Sequence, residues 1–393
     1  MRKIAANYIY PITSKPIKNG VIVMDDNGKI IDIIDNNGEL KETSKLEFYN
    51  GILIPGFVNT HCHVELSHFK DKIQNPKNLC GFLEEIIKLK DDNPYNISLI
   101  KEGDNEMRKN GIVAVGDVSN DSVSNEIKQQ SDIFYHTFIE LSSLKPELTT
   151  QSMEKGLNLK KIFGKNSSIV PHSPYSATPE LLRKISDIAK QENNIISIHN
   201  QETASENDLY KNKTGELYEL TKKLKINMDW FKPSGTSSLQ YILPFLPTKS
   251  NVLLVHNTQT SYEDMLFAEK YSKNIYWTMC PNSNLYIENK LPDINMFYKN
   301  NCKITLGTDS LSSNNKLDML AEMQTIQNNF PDIPFQKILE WATINGAKAL
   351  NIDDKYGSFE IGKTPGINLL KNFLSSESFS LSEVVNINSS FNF

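Results

Sequence analysis

The histidines of this 393-residue chain fall at positions where they can act together. Four of the seven end short apolar runs that are typical of strands, namely His61, His172, His199 and His256. His63 lies two residues beyond the first of them, and Asp309 ends a similar run, CKITLGTD. Parallel strands of a barrel converge at their carboxyl ends, where active sites form. The spacing therefore predicts imidazoles and one carboxylate gathered on a single rim.

His61 and His63 are separated by one residue on an extended segment, so their side chains point to the same side and can reach one ion. Cys62 between them points away and is not expected to be a ligand. Imidazoles with a carboxylate suit zinc, and also iron or manganese, and a position left for water makes such a site catalytic. An ion of this kind lowers the pKa of bound water to about 7. The segment therefore predicts part of a hydrolytic metal site.

Eight apolar runs alternate with helix-like segments from about residue 50 onward: GILIPGFVNTH, GIVAVGDVS, DIFYHTFIE, SSIVPHSP, NIISIHN, NVLLVHN, NIYWTMCP and CKITLGTD. Continuous apolar runs are typical of strands that are buried on both faces of a parallel sheet. One of the helices between them is expected to begin at Thr178, with Pro179 as its first residue. The pattern predicts an α/β fold with a (β/α)8 TIM barrel over residues 51–354, and an open doubly wound sheet is the alternative.

The two ends of the chain have a different sequence pattern from the middle. Residues 1–50 contain strand-like pieces with Asn-Gly turns at 19–20, 27–28 and 37–38, which favour hairpins. Residues 355–393 contain another stretch of this kind, punctuated by glycine. Neither end has enough apolar residues for a core of its own. We therefore predict one small β-sandwich domain made from both chain ends.

Composition excludes several classes of protein. A net charge of −5 provides no basic excess to hold a nucleic acid by its phosphates. No apolar run approaches the roughly 20 residues of a membrane span, and no secretory signal is visible before Pro11. Four cysteines without paired spacing fit reduced thiols. The expectation is a cytoplasmic protein that acts on a small molecule.

Several motifs, taken in order, resemble those of the amidohydrolase superfamily in its deaminase and chlorohydrolase branch: PGFVNTHCHVELS, VPHSPYSATPEL, IHNQET, CPNSN and GTDSLSSNNKLDMLAEM. The stretches NGVIVMDDNGKI, WATINGAKALNI and GSFEIGK extend the resemblance over nearly the whole chain. The resemblance implies a metal site formed by His61, His63, His199 and Asp309. Two-metal relatives place a bridging lysine after the fourth strand, where this chain has His172. One divalent ion is therefore expected, zinc before iron or manganese.

The same resemblance implies the catalytic roles. Glu202 matches the glutamate that shuttles protons, and His256 matches the histidine that steers the attacking water and stabilises the developing oxyanion. Asp309 both binds the metal and accepts a proton from the water. His172 matches a position that contacts substrate. These roles imply a hydrolase acting on carbon–nitrogen bonds other than peptide bonds, a cyclic amidine deaminase that releases ammonia from a purine-like ring or nucleoside.

The run Val64-Glu65-Leu66-Ser67 after the metal pair resembles aminodeoxyfutalosine deaminases, in which Glu65 would contact substrate; orienting a ligand histidine is the alternative. Glu140 is a second candidate for substrate contact, against a salt bridge at the rim. A carboxylated substrate calls for a cation, and Lys70 is the one expected to serve, because none of the arginines lies obviously on the rim (Arg2, Arg108, Arg183). Three residues are expected to shape the pocket: Asn282, Asn284 and Ser310.

Other functions stay open from sequence alone. The same metal and acid could serve a chlorohydrolase, a guanine-type deaminase or a cyclic amide hydrolase. A scaffold protein without catalysis is a remote alternative, because such relatives lose metal ligands and this chain keeps them. Members of this branch are often dimers, so the resemblance allows a homodimer. No role is assigned to His68, and His136 is expected to be structural.

Overall fold

The computed structural model describes residues 1–39, 45–74, 76–92, 94–371 and 384–386, with the backbone alone at 91, 92 and 384–386. In chain order the strands are β1 (Arg2–Ile9), β2 (Ile17–Lys18), β3 (Val21–Met24), β4 (Ile30–Ile34), β5 (Leu46–Pro55), β6 (Phe57–Cys62), β7 (Ile112–Ser119), β8 (Phe134–Leu141), β9 (Ser167–Pro171), β10 (Ile196–Asn200), β11 (Val252–His256), β12 (Ile275–Met279), β13 (Ile304–Leu306), β14 (Ile367–Leu370) and β15 (Val384–Asn386).

The helices lie mostly between the strands of the middle region. They are α1 (Leu79–Asp92), α2 (Ile97–Lys109), α3 (Asn125–Gln130), α4 (Thr149–Phe163), α5 (Pro179–Glu192), α6 (Ala204–Asn212), α7 (Glu216–Lys223), α8 (Ser238–Ile242), α9 (Tyr262–Tyr271), α10 (Pro281–Glu288), α11 (Ile294–Lys299), α12 (Met319–Asn329), α13 (Phe335–Trp341) and α14 (Ile344–Ala349). The predicted start of α5 is confirmed, since the side chain of Thr178 accepts a hydrogen bond from the Leu181 N–H. No described helix is long and apolar enough to cross a membrane.

Each of the eight predicted runs contains one strand of the middle region. Strands β6 to β9 form one four-stranded sheet and β10 to β13 form another, and all pairs within them are parallel. Every residue of β6 and of β9 to β13 is buried. The continuous apolar runs therefore correspond to strands covered on both faces, as predicted.

Backbone hydrogen bonds join the two parallel sheets at both of their edges. The N–H of His199 in β10 donates to the carbonyl of His172 after β9, at 3.0 Å. At the other edge the N–H of Asp309 donates to the carbonyl of His61, also at 3.0 Å, and a parallel bridge pairs Cys62 with Asp309. These bonds bring the carboxyl ends of the edge strands against one another.

Both ends of the chain contribute to one small sheet. Its order is β15-β14-β5-β1-β3-β4, with β2 paired to the carboxyl-terminal end of β1. One Asn-Gly pair forms the turn of the β3–β4 hairpin, where Gly28 has a φ of +77°. The structure corrects the predicted sandwich in one respect, because the described strands form a single hydrogen-bonded sheet. The reason is that β1 pairs with both β3 and β5, which makes one continuous ladder.

The run GILIPGFVNTH divides at Gly56 instead of forming one strand. Residues up to Pro55 pair with β14 in the small sheet, and Phe57 starts the first parallel strand. A Cβ on Gly56 would lie 2.3 Å from a methyl of Val113 and 2.8 Å from the carbonyl oxygen of Pro365. Glycine therefore allows the two sheets to approach closely where the chain passes from one to the other.

Candidate metal centre and active site

The carboxyl ends of the parallel strands bring the predicted residues together. Two imidazole nitrogens, His61 Nε2 and His63 Nε2, are 3.2 Å apart, and they lie 3.7 and 3.6 Å from Asp309 Oδ1. Ligand atoms that share one tetrahedral zinc ion at about 2.05 Å are separated by about 3.3 Å. All three side chains are buried. The donor atoms therefore have the chemistry and the spacing that a small divalent cation requires.

His199 reaches the same place from β10. Its Nδ1–H donates to the carbonyl oxygen of His172 at 2.7 Å, which leaves Nε2 as the nitrogen that can bind an ion. Its ring lies 4.9 Å from the ring of His61 and 5.4 Å from that of His63. A backbone acceptor on the far nitrogen is the usual way in which proteins orient a metal-binding imidazole.

Burial and neighbouring side chains set the protonation states of His61, His63 and Asp309. It lowers the pKa of His61 to about 4 and the pKa of His63 well below its ordinary value, so both imidazoles are neutral at pH 7. Burial by itself raises the pKa of Asp309, but the hydrogen bond from His61 and the neighbouring His63 outweigh it and hold that pKa well below its usual range. Neutral imidazoles and an ionised carboxylate are the forms that bind metals.

The second oxygen of Asp309 is held by two hydroxyl groups. Ser283 and Ser313 both donate to Oδ2, at 2.6 and 2.8 Å. This arrangement turns Oδ1 toward His61 and His63. Asn282 and Asn284 of the CPNSN motif were predicted to shape the pocket, but no role was predicted for Ser283 between them. Nothing in a single sequence distinguishes that serine from any other helix residue.

Glu202 and His256 face each other beside the metal cluster, the group formed by His61, His63, His199 and Asp309. Glu202 Oε1 lies 3.7 Å from His256 Nε2. Burial, with the charges of Asp309 and Glu288, raises the pKa of Glu202 to about 8 although His199 lowers it, so the carboxyl group is protonated at neutral pH. This is the form that a general acid needs.

The tautomer of His256 follows from its contact with Asn284. The side-chain N–H of Asn284 donates to the backbone carbonyl of His256 at 3.3 Å, so its Oδ1 accepts from His256 Nδ1–H at 2.7 Å. Burial also lowers the pKa of His256. Nε2 therefore carries a lone pair toward the site, which suits it to accept a hydrogen bond from water. This neutral tautomer supports the water-steering part of its predicted role, whereas stabilising an oxyanion requires a proton on Nε2.

Two connected cavities open at this point. The smaller, about 90 Å³, is lined by three residues of the metal cluster, His63, His199 and Asp309, and by their neighbours Glu202, His256 and Ser310. The larger, about 750 Å³, has a mainly apolar wall from α1, α6, α7 and their loops. Seven residues line both cavities and so form a neck between them: Leu83, Ile86, Lys90, Asn120, Glu140, His172 and Tyr175.

Glu140 and His172, both predicted to contact substrate, lie in this neck. Glu140 Oε2 accepts from Asn120 Nδ2 at 2.9 Å, and Oε1 lies 3.4 Å from His199 Nδ1. Burial by itself raises the pKa of Glu140, but His172, His199 and His63 outweigh it and bring that pKa to about 2. The neck therefore holds an ionised carboxylate next to the metal cluster.

Glu65, the third predicted contact, is not brought to either cavity. It is fully buried behind the neck, where its Oε1 accepts the backbone N–H of Asn120 at 3.0 Å. Lys70 also lines neither cavity and pairs with Glu106 at 3.5 Å, whereas Lys90 lines both. Lys90 and Asn120 were missed by the sequence analysis, because a lysine and an asparagine outside any motif carry no distinguishing signal.

Neither His68, which has no assigned role, nor His136, which is predicted to be structural, lines either cavity. His68 Nδ1 donates to the carbonyl oxygen of Glu65 at 2.7 Å within the turn after the metal pair. His136 lies inside β8, where Nε2 is 2.8 Å from Ser168 Oγ. Burial lowers the pKa of His136 to about 4, which keeps its ring neutral. Its surroundings agree with a structural role.

Comparison with known proteins decides the family. A family model described as the amidohydrolase family matches residues 52–393 of this chain. The chain belongs to the amidohydrolase family. The recognition that the motifs supported is thereby confirmed.

This amidohydrolase is 30% identical over 359 residues to the 5'-deoxyadenosine deaminase of Methanococcus maripaludis, covering 85% of this chain and 78% of that protein. The structure of Helicobacter pylori aminofutalosine deaminase in complex with methylthio-coformycin matches with a TM-score of 0.81 at 23% identity, over 95% of this chain and 93% of that one. An adenosine deaminase from Xanthomonas campestris with bound zinc matches with a TM-score of 0.74 at 18% identity, over 94% and 84%. These relatives confirm the predicted enzyme class, hydrolysis of a carbon–nitrogen bond.

Proposed function

We propose that this amidohydrolase is a hydrolytic deaminase of purine nucleosides, with one zinc ion held by His61, His63, His199 and Asp309. The observation that carries the proposal is the meeting of three features at one place. A set of donor atoms spaced for a metal lies beside a carboxyl group that is protonated at neutral pH, at the bottom of a two-part cavity. The similarity to deaminases of adenosine derivatives supports the substrate class.

The fold and domain division complete the proposal. The hydrogen bonds at both sheet edges and the similarity to solved amidohydrolase-type enzymes support a closed (β/α)8 barrel. The strand bounds support a first boundary between the small domain and the barrel near Gly56, whereas the sequence predicts it between residues 50 and 51. The second boundary, near residue 355, stays as predicted from the sequence.

One ion per chain is proposed for a reason of hydrogen bonding. Glu140, His172 and His199 also form a group whose ligand atoms lie within 4.8 Å of one another. His199 Nδ1, however, donates to a backbone carbonyl, and its one free nitrogen serves the first group. A second ion would have to be held by Glu140 and His172 without it. When bound, the single zinc ion supplies the Lewis acidity that lowers the pKa of water.

Three residues of the chain assist deamination: His256 orients the water, and Asp309 and Glu202 transfer protons. Water adds to the ring carbon that carries the amino group, His256 Nε2 accepts a hydrogen bond from that water, and Asp309 takes its first proton. Protonated Glu202 donates to the neighbouring ring nitrogen, which makes the carbon electrophilic. Asp309 passes its proton to the leaving amine, ammonia departs, and the remaining hydroxyl proton returns to Glu202. The product keeps a ring N–H and a new carbonyl group.

The two cavities support a substrate with an extended 5' group. The smaller cavity can take only the reacting edge of a ring, so the sugar occupies the neck with its polar side chains. The apolar wall of the larger cavity suits a hydrophobic extension beyond the sugar, and Lys90 and Lys155 lie in its lining. These two cations could pair with a carboxylate on that extension, which keeps aminodeoxyfutalosine among the candidates despite the lack of an arginine.

The test is ammonia release by zinc-loaded enzyme from a panel of substrates. The panel contains adenosine, 5'-deoxyadenosine, 5'-alkylthio-adenosines and aminodeoxyfutalosine, with guanine, a chlorinated triazine and a cyclic amide as probes of the other amidohydrolase reactions. We expect the highest kcat/KM for an adenosine derivative with a 5' extension. A preference for guanine, release of chloride from the triazine or opening of the cyclic amide would contradict the proposal and indicate that reaction instead. If the metal-loaded protein turns over none of the probes, the scaffold alternative is favoured.

A further inference from the structure

A buried ion pair lies beside the segment that holds His61 and His63, where Asp117 of β7 pairs with Cys62 of β6. Asp117, in β7, is fully buried, and its Oδ2 contacts Lys128 Nζ at 2.6 Å. Lys128 comes from α3, and its side chain is only 5% exposed. Its ammonium group also donates to Ser119 Oγ at 2.8 Å and to Thr137 Oγ1 at 3.2 Å. The ring of Phe163 lies 4.8 Å from the same nitrogen.

Such a pair is a poor source of stability. Removing each of the two charges from water is unfavourable, and replacing a buried pair by apolar residues is often neutral or stabilising. The presence of this pair therefore has to be explained by a role other than stability, and its remaining contacts indicate that role.

The remaining oxygen of Asp117 holds the backbone next to His63. Oδ1 accepts the N–H of Val64 at 2.8 Å. Val64 begins the short 3-10 turn that follows His63, so this bond determines where the chain leaves the extended His-Cys-His segment. Lys128 binds the other oxygen and so fixes the rotation of the carboxylate that aims Oδ1 at Val64.

We propose that Asp117 and Lys128 are a positioning pair that holds the His61–His63 segment in the geometry for metal binding. The proposal rests on the metal site proposed above. Neither residue lines the cavities or touches the reacting atoms, so the pair acts through the backbone. Loss of the contact frees the turn after His63 and separates its Nε2 from that of His61.

Two double variants separate the acceptor from the charges. Asp117→Asn with Lys128→Met removes both charges but keeps an oxygen that can accept the Val64 N–H. Asp117→Leu with Lys128→Met removes the charges and the acceptor together. Asparagine and leucine have the same number and branching of side-chain heavy atoms as aspartate, both double variants carry the same Lys128→Met change, and neither leaves a lone buried charge. The comparison therefore isolates the single hydrogen bond on which the proposal depends.

The first measurement is zinc affinity, by competition with a chelating dye. We expect the leucine variant to lose roughly 10- to 100-fold in affinity, as for other groups that orient a metal ligand, and the asparagine variant to stay near wild type. Equal zinc affinity in the two variants would overturn the proposal. So would loss of thermal stability of the metal-free protein in both variants with zinc affinity unchanged, because that result assigns the pair to stability alone.

The second measurement does not depend on metal. Hydrogen exchange of the Val64 amide in the metal-free protein should accelerate in the leucine variant and stay slow in wild type and in the asparagine variant. Slow exchange in all three would overturn the positioning role. If the wild-type protein does not bind zinc but the difference in Val64 amide exchange is present, the proposed metal centre is wrong. The contact between Asp117 and the Val64 N–H is then still supported.

Discussion

At the scale of single residues, the site combines groups whose protonation is set by burial with partners that fix their direction. The convergence of His61, His63 and Asp309 could be anticipated, because strand ends and an H-x-H segment carry a readable signal. The hydroxyl groups on Asp309 could not, because Ser283 and Ser313 are joined to it across 26 and 4 residues by hydrogen bonds that leave no periodic trace. Partners of this kind are found from coordinates.

Replacing Glu202 by Gln tests its role as proton donor and acceptor. The amide keeps the shape of the side chain but cannot shuttle a proton, so kcat should fall by about 10²- to 10⁴-fold. Bound zinc, measured by elemental analysis, should stay at the wild-type level because Glu202 is not among the proposed ligands. Near-normal turnover in this variant would refute the shuttle.

The raised pKa of Glu202 predicts the direction of a pH dependence. A donor works while it is protonated, so kcat/KM should fall as the pH rises through about 8. The measurement is a pH profile with a neutral nucleoside substrate, whose own ionisation does not interfere. A profile that keeps rising above this pH would show that the ionised form of Glu202 is the active one.

Ser283→Ala tests the hold on the second oxygen of Asp309. Without this hydroxyl the carboxylate can rotate, and zinc affinity should fall roughly tenfold. Ser186→Ala is the matched control, because Ser186 is a buried serine whose hydroxyl has no hydrogen-bond partner among the described residues. Equal affinities in the two variants would show that the hydroxyl contact does not matter to the ion.

At the scale of elements, continuous apolar runs predicted all eight parallel strands, because burial on both faces removes the polar alternation. The same signal wrongly predicted one strand over residues 51–61. Two apolar strands in different sheets are joined there by one glycine, and nothing in hydrophobicity marks the change of sheet. The division follows from the space available at Gly56 in three dimensions.

Gly56→Ala should therefore destabilise the fold. The added methyl group overlaps the side chain of Val113 and the carbonyl of Pro365, and overpacking of this kind lowers the free energy of unfolding by about 1–3 kcal/mol. Gly81→Ala in α1 is the control, since a Cβ there meets only Asn78 Oδ1 at 3.7 Å. Chemical denaturation of both variants measures the difference, and equal midpoints would show that the junction tolerates a side chain.

At the scale of the whole molecule, the long helical region after β10 and the helix after β6 build the larger cavity. Sequence reasoning located the rim but not this cavity, because its walls come from α1 and α7, which are more than a hundred residues apart. The adjacent placement of such elements is a property of the three-dimensional fold. The proposal that the substrate carries an extension therefore rests on the structure and not on a motif.

Ile87→Glu tests that wall without disturbing the core. Ile87 lines only the larger cavity and is 40% exposed, so the variant should fold. A charge there should raise KM for a 5'-alkylthio-adenosine roughly tenfold while leaving adenosine nearly unaffected. Ile97→Glu, at an exposed position that lines neither cavity, is the matched control. Equal effects on both substrates would place the extension elsewhere.

The most direct test of the account is a crystal structure of the zinc-loaded protein with anomalous diffraction at the zinc edge. We expect one ion per chain, bound by Nε2 of His61, His63 and His199 and by Oδ1 of Asp309, with Glu202 unbound beside it. A metal-loaded protein whose ion lies outside this cluster, or which holds two ions in it, would contradict the account.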